Sequence, residues 1–150
     1  MLMLPFYAYS KVTKKPFAKH YNANPQTIGE HIRKKRIESG LLQKDVAVEL
    51  DTCEDTITGW ESHRGEPIIT FYPKIIAFLG YYPFDHPLEM ASGLIERCRH
   101  VLGLSYDSLG KLIGVHGTTL IYWERNDLIA NRECEKKLLQ LLNASQCLPI

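Results

Sequence analysis

The stretch Gln43–Glu61, QKDVAVELDTCEDTITGWE, decides the fold of this chain. In each of its halves, apolar side chains recur at the spacing that puts them on one face of an α-helix. They are Val46, Ala47 and Leu50 in the first half, and Ile57 and Trp60 in the second. The stretch therefore predicts two short helices, each with one apolar face.

The two predicted helices are separated by Asp51, Thr52 and Cys53. These residues favour caps and turns over helix interiors, because their short polar groups compete for backbone hydrogen-bond partners. Two short helices joined so closely cannot bury their apolar faces against each other alone, so a third helix must cover them. Thr27, which opens a capping-box pattern, and Pro73, which suits a first helical turn, predict further helices on both sides.

Three motifs around this stretch occur together: IRKKRIESGLLQKDVAVEL, TITGWE, and a proline followed by PKIIAFLG. With them, the segment from Thr27 to Tyr81 resembles the helix-turn-helix domain of the XRE/Cro family of phage and bacterial repressors. The positions in register with that family are Arg36, Gly40, Leu41, Gln43, Ala47, Trp60, Glu61 and Pro67. The resemblance implies an all-α fold in which the helix after the turn docks in the major groove of duplex DNA.

The sequence repeats itself with an offset of 63 residues and no gap. Nine positions are identical: Ile32, Arg36, Gly40, Leu41, Thr56, Trp60, Glu61, Lys74 and Leu79 match Ile95, Arg99, Gly103, Leu104, Thr119, Trp123, Glu124, Lys137 and Leu142. An ungapped register of this kind indicates two copies of one structural unit. We therefore predict two tandem lambda-repressor-like helix-turn-helix domains, at 27–80 and 88–143, with a short proline-containing linker at 81–87 and a tail at 144–150.

The segment 1–26 differs in character from the rest of the chain. It has no acidic residue, and its four lysines are Lys11, Lys14, Lys15 and Lys19. One interpretation is an extended basic arm that contacts DNA phosphates or enters a groove. The other is a solvated leader whose aromatic residues pack on the first domain. The sequence leaves both open.

Composition excludes several classes of protein. The 150 residues include 18 basic and 17 acidic side chains, so the broad positive charge of many nucleic-acid binders is missing. No apolar run reaches the roughly 20 residues that span a bilayer. The four cysteines and six histidines are scattered without ligand spacing, which predicts reduced thiols, no metal site and a cytoplasmic, nucleoid-associated protein. No cofactor motif or catalytic constellation is present, so we expect no enzyme activity, cofactor or small-molecule ligand.

The resemblance also implies which residues of the first copy contact DNA. Gln43 matches the glutamine that contacts phosphate in the family, and the neighbouring charges of Lys44 and of Arg64 in the following loop are expected to add phosphate contacts. Base contacts fall on Glu54, Asp55, Thr58 and Gly59, at the exposed positions of the helix 54–61. Carboxylates accept hydrogen bonds from cytosine N4, although acids in a first helical turn also favour the helix dipole wherever they point.

One Arg–Glu pair recurs in each copy, and we interpret both pairs as structural. By resemblance, Arg36 pairs with Glu61, and Arg99 pairs with Glu124, each tying the first helix of a copy to the end of its recognition helix. A buried pair contributes little net stability, but removal of one partner is costly. Trp60 and Trp123, at matching positions, are predicted to lie in the cores.

The second copy departs from the pattern where DNA would be touched. Tyr106 replaces Gln43, and the exposed recognition positions become Gly117, Thr118, Ile121 and Tyr122. These residues favour an apolar contact, with thymine methyls, the sister domain or a second subunit, and we favour a protein partner. The turn of the second copy contains Gly114, where the first has Asp51, and glycine adopts a positive φ without steric cost.

The sequence thus predicts a transcriptional regulator, of repressor type, whose partner is double-stranded DNA. Homodimers are usual in the family, but the divergent recognition helices argue against matched half-sites. The alternative is a protein–protein interaction or dimerisation module, antitoxin- or adaptor-like, with little affinity for DNA. Near-neutral charge and an acidic recognition helix favour that alternative.

Overall fold

The computed structural model describes residues 21–129 and 131–145. Within these residues the chain is all-α, and it contains no strand. The helices are α1 Ile28–Glu38, α2 Gln43–Glu49, α3 Glu54–Glu61, α4 Tyr72–Leu79, α5 Ala91–Leu102, α6 Tyr106–Ile113, α7 Gly117–Asn126 and α8 Arg132–Ala144. A single 3-10 turn, Ile69–Phe71, leads into α4. None of the described helices has the length and apolar character that crossing a membrane requires.

The helices enclose two separate hydrophobic cores. We call α1–α4, which enclose one core, the first helical unit, and α5–α8, which enclose the other, the second helical unit. Fully buried side chains of the first core are Ile32, Val46, Leu50, Ile57 and Ile75, and those of the second are Ile95, Cys98, Leu109, Leu120 and Leu138. Trp60 and Trp123 are buried in their respective cores, as predicted.

The first three helices of the two units follow the 63-residue offset, whereas α8 starts 60 residues after α4. The first residues of α5, α6 and α7 are Ala91, Tyr106 and Gly117, each 63 residues after the first residue of α1, α2 and α3. The turns match as well, because Asp51 has φ +56° and Gly114 has φ +87°. The prediction that Asp51 adopts the conformation for which Gly114 is suited is therefore confirmed.

Helix ends follow local signals in the sequence. The Thr27 side chain accepts a hydrogen bond from the Glu30 backbone N–H, which caps α1. The capping box is incomplete, because the Glu30 carboxylate accepts from the N–H of Gln26 at 2.7 Å. Pro73 lies in the first turn of α4, and Gly80 ends that helix with φ +80°.

The two units are in contact through α4, the 3-10 turn and α5. The approach is close at Gly103, where an added Cβ would lie 2.9 Å from the Pro73 ring. Five aromatic or imidazole rings also meet at this contact. They are Tyr72, Tyr82, Phe84, His86 and His100, which we call the joint cluster. The predicted arm lysines and Cys147 lie outside the described residues.

Candidate nucleic-acid interface

Helix α3 packs with its inner side against α1 and α2. The turn before it is tight, because the Thr52 N–H donates to the Ala47 carbonyl at 2.9 Å and Asp51 takes a left-handed conformation. This geometry leaves the opposite side of α3 in solvent. Glu54 and Asp55, two of the predicted base contacts, are exposed there.

Arg36 anchors the end of α3 to α1. Its Nε and Nη2 donate to the two Glu61 carboxylate oxygens at 2.6 Å and 2.7 Å, and its Nη1 donates to the Leu41 carbonyl at 3.2 Å. The Glu61 side chain is only 2% exposed. The structure therefore joins Arg36 and Glu61 in a buried, two-pronged ion pair, of the kind implied by the resemblance.

Gln43 continues this network to the middle of α3. Its amide N–H donates to Glu61 Oε2 at 3.0 Å, and its amide oxygen accepts from the Thr58 hydroxyl at 3.2 Å. The Glu54 carbonyl, 2.9 Å from the same hydroxyl, shares its single proton. Both ends of the Gln43 amide are thus engaged within the unit, so a phosphate contact by this residue would have to replace one of these bonds.

The other predicted phosphate contacts differ from each other. Lys44 is exposed at the start of α2. Arg64, in the loop after α3, forms an exposed ion pair with Asp55 at 3.2 Å, and its Nε donates to the Ser62 hydroxyl at 3.2 Å. The structure therefore brings one predicted phosphate contact and one predicted base contact together, each neutralising the other.

Gly59 is the last predicted base contact. It lies in α3, and a Cβ added to it would meet no atom within 4 Å. The glycine is therefore not required by packing within the unit. Its lack of a side chain leaves room for another molecule to approach the α3 backbone closely.

Cys53 is the N-cap residue of α3, and its side chain makes no capping hydrogen bond. Instead, its Sγ lies 3.1 Å from the Thr56 hydroxyl. Hydrogen bonds from Thr56 lower the pKa of the Cys53 thiol, while burial and the neighbouring Asp55 charge oppose that shift. The thiol is exposed beside the acidic first turn of α3.

The second unit replaces this network with a different one. Tyr106 occupies the position of Gln43, and its hydroxyl lies 2.9 Å from both carboxylate oxygens of Glu124. The Arg99 guanidinium stacks over the Tyr106 ring, 3.6 Å from its centroid. The buried Arg99 Nε has no hydrogen-bond partner.

The predicted ion pair between Arg99 and Glu124 is therefore wrong, since no such bridge occurs among the described residues. The physical reason is steric: the Tyr106 ring is larger than the Gln43 amide and occupies the space beside the guanidinium. Burial, and then the bond to Glu124, raise the pKa of Tyr106 to about 12. Burial is also the largest cause of the raised pKa of the Glu124 carboxyl.

The outer side of α7 carries no acidic side chain in its first turn. Thr118 and Tyr122 are exposed, with Tyr122 58% exposed, and Ile121 is half-buried. Gly117 begins the helix where an added Cβ would collide with Asp107 and the start of α6. This surface is apolar and nearly uncharged, whereas the corresponding surface of α3 is acidic.

Two matching lysines brace the turns from outside, and the sequence interpretation gave them no role. Lys74 on α4 lies 3.1 Å from the Asp51 carboxylate, and Lys137 on α8 donates to the Ile113 carbonyl at 3.4 Å. Both reach the C-terminal end of the helix before the turn, where unpaired carbonyls favour a cation. The sequence signal for this role was that lysine stands at both matching positions.

Comparison with known proteins identifies no relative. No family model, curated protein or solved structure matches the chain at a significant level. The candidate interface rests on the residues and contacts described above.

Proposed function

We propose that the chain consists of two tandem repressor-like helix-turn-helix domains, 27–80 and 88–143, and that it binds duplex DNA to regulate transcription. One observation carries the proposal. Helix α3 is fixed from its inner side by the buried pair of Arg36 and Glu61 and by the Gln43 amide, while its outer side is exposed. A recognition helix requires that combination, because base readout depends on a rigidly oriented helix with a free surface.

The dimensions and chemistry of α3 suit the major groove. The groove is about 12 Å wide and admits one α-helix. Glu54 and Asp55 would accept hydrogen bonds from cytosine N4, and Thr58 and Gly59 would lie one turn further along. Lys44, exposed at the start of α2, and Arg64, in the loop after α3, would contact phosphates. The acidic first turn opposes phosphate binding, so we expect modest affinity at physiological salt.

The test is selection from a pool of random duplexes at two salt concentrations, followed by sequencing of the retained DNA. An enriched motif, with affinity falling steeply as salt rises, is the expected result. The matched variants are Lys44→Ala, which should reduce the salt dependence by about one phosphate contact, and Lys136→Ala on α8, which should not. Absence of any retained duplex at low salt would contradict the proposal.

The second candidate function is a protein-interaction module. The exposed Tyr122 and half-buried Ile121 on α7 favour it, together with the acidic start of α3. Aromatic side chains exposed on a helix are typical anchors of protein interfaces. If the duplex selection retains nothing, the next measurement is the oligomeric state of the unaltered chain and of the Tyr122→Ser variant. A dimer that is lost on this substitution would assign α7 to self-association.

A further inference from the structure

The joint cluster contains a continuous chain of hydrogen bonds. Tyr82, in the connection between α4 and α5, has its hydroxyl 2.7 Å from His86 Nδ1 and 2.9 Å from His100 Nδ1. His86 Nε2 in turn lies 2.8 Å from the Glu96 carboxylate. The hydrogen bonds therefore link Glu96 to His86, His86 to Tyr82, and Tyr82 to His100.

The number of available protons limits how this series of hydrogen bonds can be arranged. A tyrosine hydroxyl has one proton, so it donates to only one of its two imidazole neighbours and accepts from the other. If His86 is neutral and donates from Nε2 to Glu96, it accepts from Tyr82, and His100 must donate from Nδ1. All these bonds are then satisfied without any charge on His100.

The surroundings of His100 oppose a positive charge. Its ring stacks on Tyr72 from α4, with centroids 4.4 Å apart, and lies 5.0 Å from the Phe84 ring. Burial, then the charges of His86 and Arg99, lower the pKa of His100 to about 4. Arg97, also on α5, lies over the Tyr82 ring at 4.7 Å.

Two carboxylates act on the rings that contact His100. Glu96, on the same helix, is engaged by His86, and Glu66 raises the pKa of Tyr72. From α4, Tyr72 stacks on His100, and the pKa of Tyr72 is raised, chiefly by burial. From the connection come Tyr82, whose pKa burial also raises, and His86. The two groups whose charges act on His100 itself, His86 and Arg99, both lower its pKa, so a further proton there is disfavoured.

We propose that the joint cluster is a proton-sensitive latch that fixes the second helical unit against the first through neutral His100. With His100 neutral, its ring closes the stack between α4 and α5. Protonation places a charge among half-buried rings. Separation of the units restores its hydration. The latch controls the relative position of the units and does not depend on what they bind.

The direction of the pH effect follows from linkage. In the closed state the pKa of His100 is about 4, and in the open state it returns towards its ordinary 6.5. The open state therefore binds a proton first as pH falls, and closure weakens from about pH 6.5 down to about pH 4. The full effect on the closed-to-open ratio is at most about 300-fold, and at most about tenfold at pH 5.5, because Arg99 lies on α5 with His100 and remains beside it in the open state.

The test measures amide nitrogen relaxation of the full chain by NMR between pH 7.5 and pH 4, which gives a rotational correlation time for each unit. Equal values at pH 7.5, which become shorter and unequal as His100 titrates, are expected. His100→Phe retains a ring in the stack but cannot be protonated, so its units should remain joined at pH 4. His116→Phe, which changes an exposed histidine at the start of α7, should behave as the unaltered chain.

Several results would overturn the proposal. One is a common correlation time for both units of the unaltered chain at pH 4, or an ordinary pKa for His100 while the units remain joined. Another is separation of the His100→Phe units with the same pH profile as the unaltered chain. Separation by Glu96→Gln at pH 7.5 would assign control to the pair with His86 instead. Loss of the amide dispersion of either unit before separation would also refute the latch.

Discussion

Gln43 donates a 3.0 Å hydrogen bond to Glu61, and Tyr106, at the matching position of the second unit, bonds to Glu124 at 2.9 Å. The same two helices are therefore tied at the same place by different chemistry. In the first unit a guanidinium shares the carboxylate with the amide, whereas in the second the guanidinium is displaced onto the tyrosine ring. This difference makes the two units respond differently to the loss of their matching arginines.

Arg36→Ala should be far more harmful than Arg99→Ala. Removal of Arg36 leaves the buried Glu61 carboxylate uncompensated, which costs about 3–5 kcal/mol. Removal of Arg99 loses a stacked cation on Tyr106, which costs about 1–2 kcal/mol. Urea unfolding followed by the fluorescence of Trp60 in one unit and Trp123 in the other measures both values. Equal losses would contradict the assigned difference between the networks.

Two helical glycines should give opposite results when changed to alanine. A Cβ at Gly29 would lie 2.0 Å from the Trp60 carbonyl oxygen, so Gly29→Ala should cost about 2–3 kcal/mol or more through displacement of the backbone. Gly59→Ala meets no atom and should stabilise the protein by about 0.5–1 kcal/mol. Thermal unfolding distinguishes them. If Gly59→Ala also weakens DNA binding while raising stability, close approach of DNA to the α3 backbone is supported.

The turns offer a third comparison. Gly114→Ala should cost about 1–2 kcal/mol, because alanine is strained at φ +87°. Asp51→Gly should change stability by less than about 0.5 kcal/mol, because aspartate tolerates this conformation and glycine increases the freedom of the unfolded chain. Its exposed pair with Lys74 contributes little. A large gain from Asp51→Gly would show that the turn of the first unit is strained.

The ion pair of Asp55 with Arg64 bears on DNA binding. If α3 docks in the major groove, Asp55→Asn frees Arg64 and removes a charge that repels phosphate. Affinity should then rise on duplexes that lack the cytosine contacted by Asp55, and the salt dependence should steepen by about one phosphate contact. Asp55→Ala should in addition alter sequence preference, whereas Lys44→Ala should weaken binding to all sequences alike. Identical effects of the two alanine variants on every duplex would eliminate base readout by Asp55.

The local features were predictable from the sequence because each depends on a few neighbouring residues. Thr27, Pro73 and Gly80 act within one helical turn, and helical periodicity placed Ile57 and Trp60 on the buried side of α3. The 63-residue offset likewise gives the starts of α5, α6 and α7 from those of α1, α2 and α3. These local signals predict helices without any knowledge of contacts between distant residues.

The contacts that the sequence did not predict join residues far apart in the chain. The resemblance assigned Arg99 to Glu124 by position alone, but the change from Gln43 to Tyr106 altered the space between them. His86 and His100 also gave no signal, because neither stands at ligand spacing and the connection lacks periodicity. Their partners are determined by how α5 packs on α4, which is a tertiary property. Whether α3 contacts DNA is not decided by these local patterns, and that assignment stays a prediction.

The close approach of Pro73 to Gly103 has a consequence for the repeat as an architecture. The contact between the units is heterologous, because the last helix of one unit meets the first helix of the next. Contacts of this kind can repeat to form a longer array. In the second unit, however, Glu135 and Lys136 occupy the positions of Tyr72 and Pro73. A third unit packed in the same way would meet two charged side chains at these positions instead of rings.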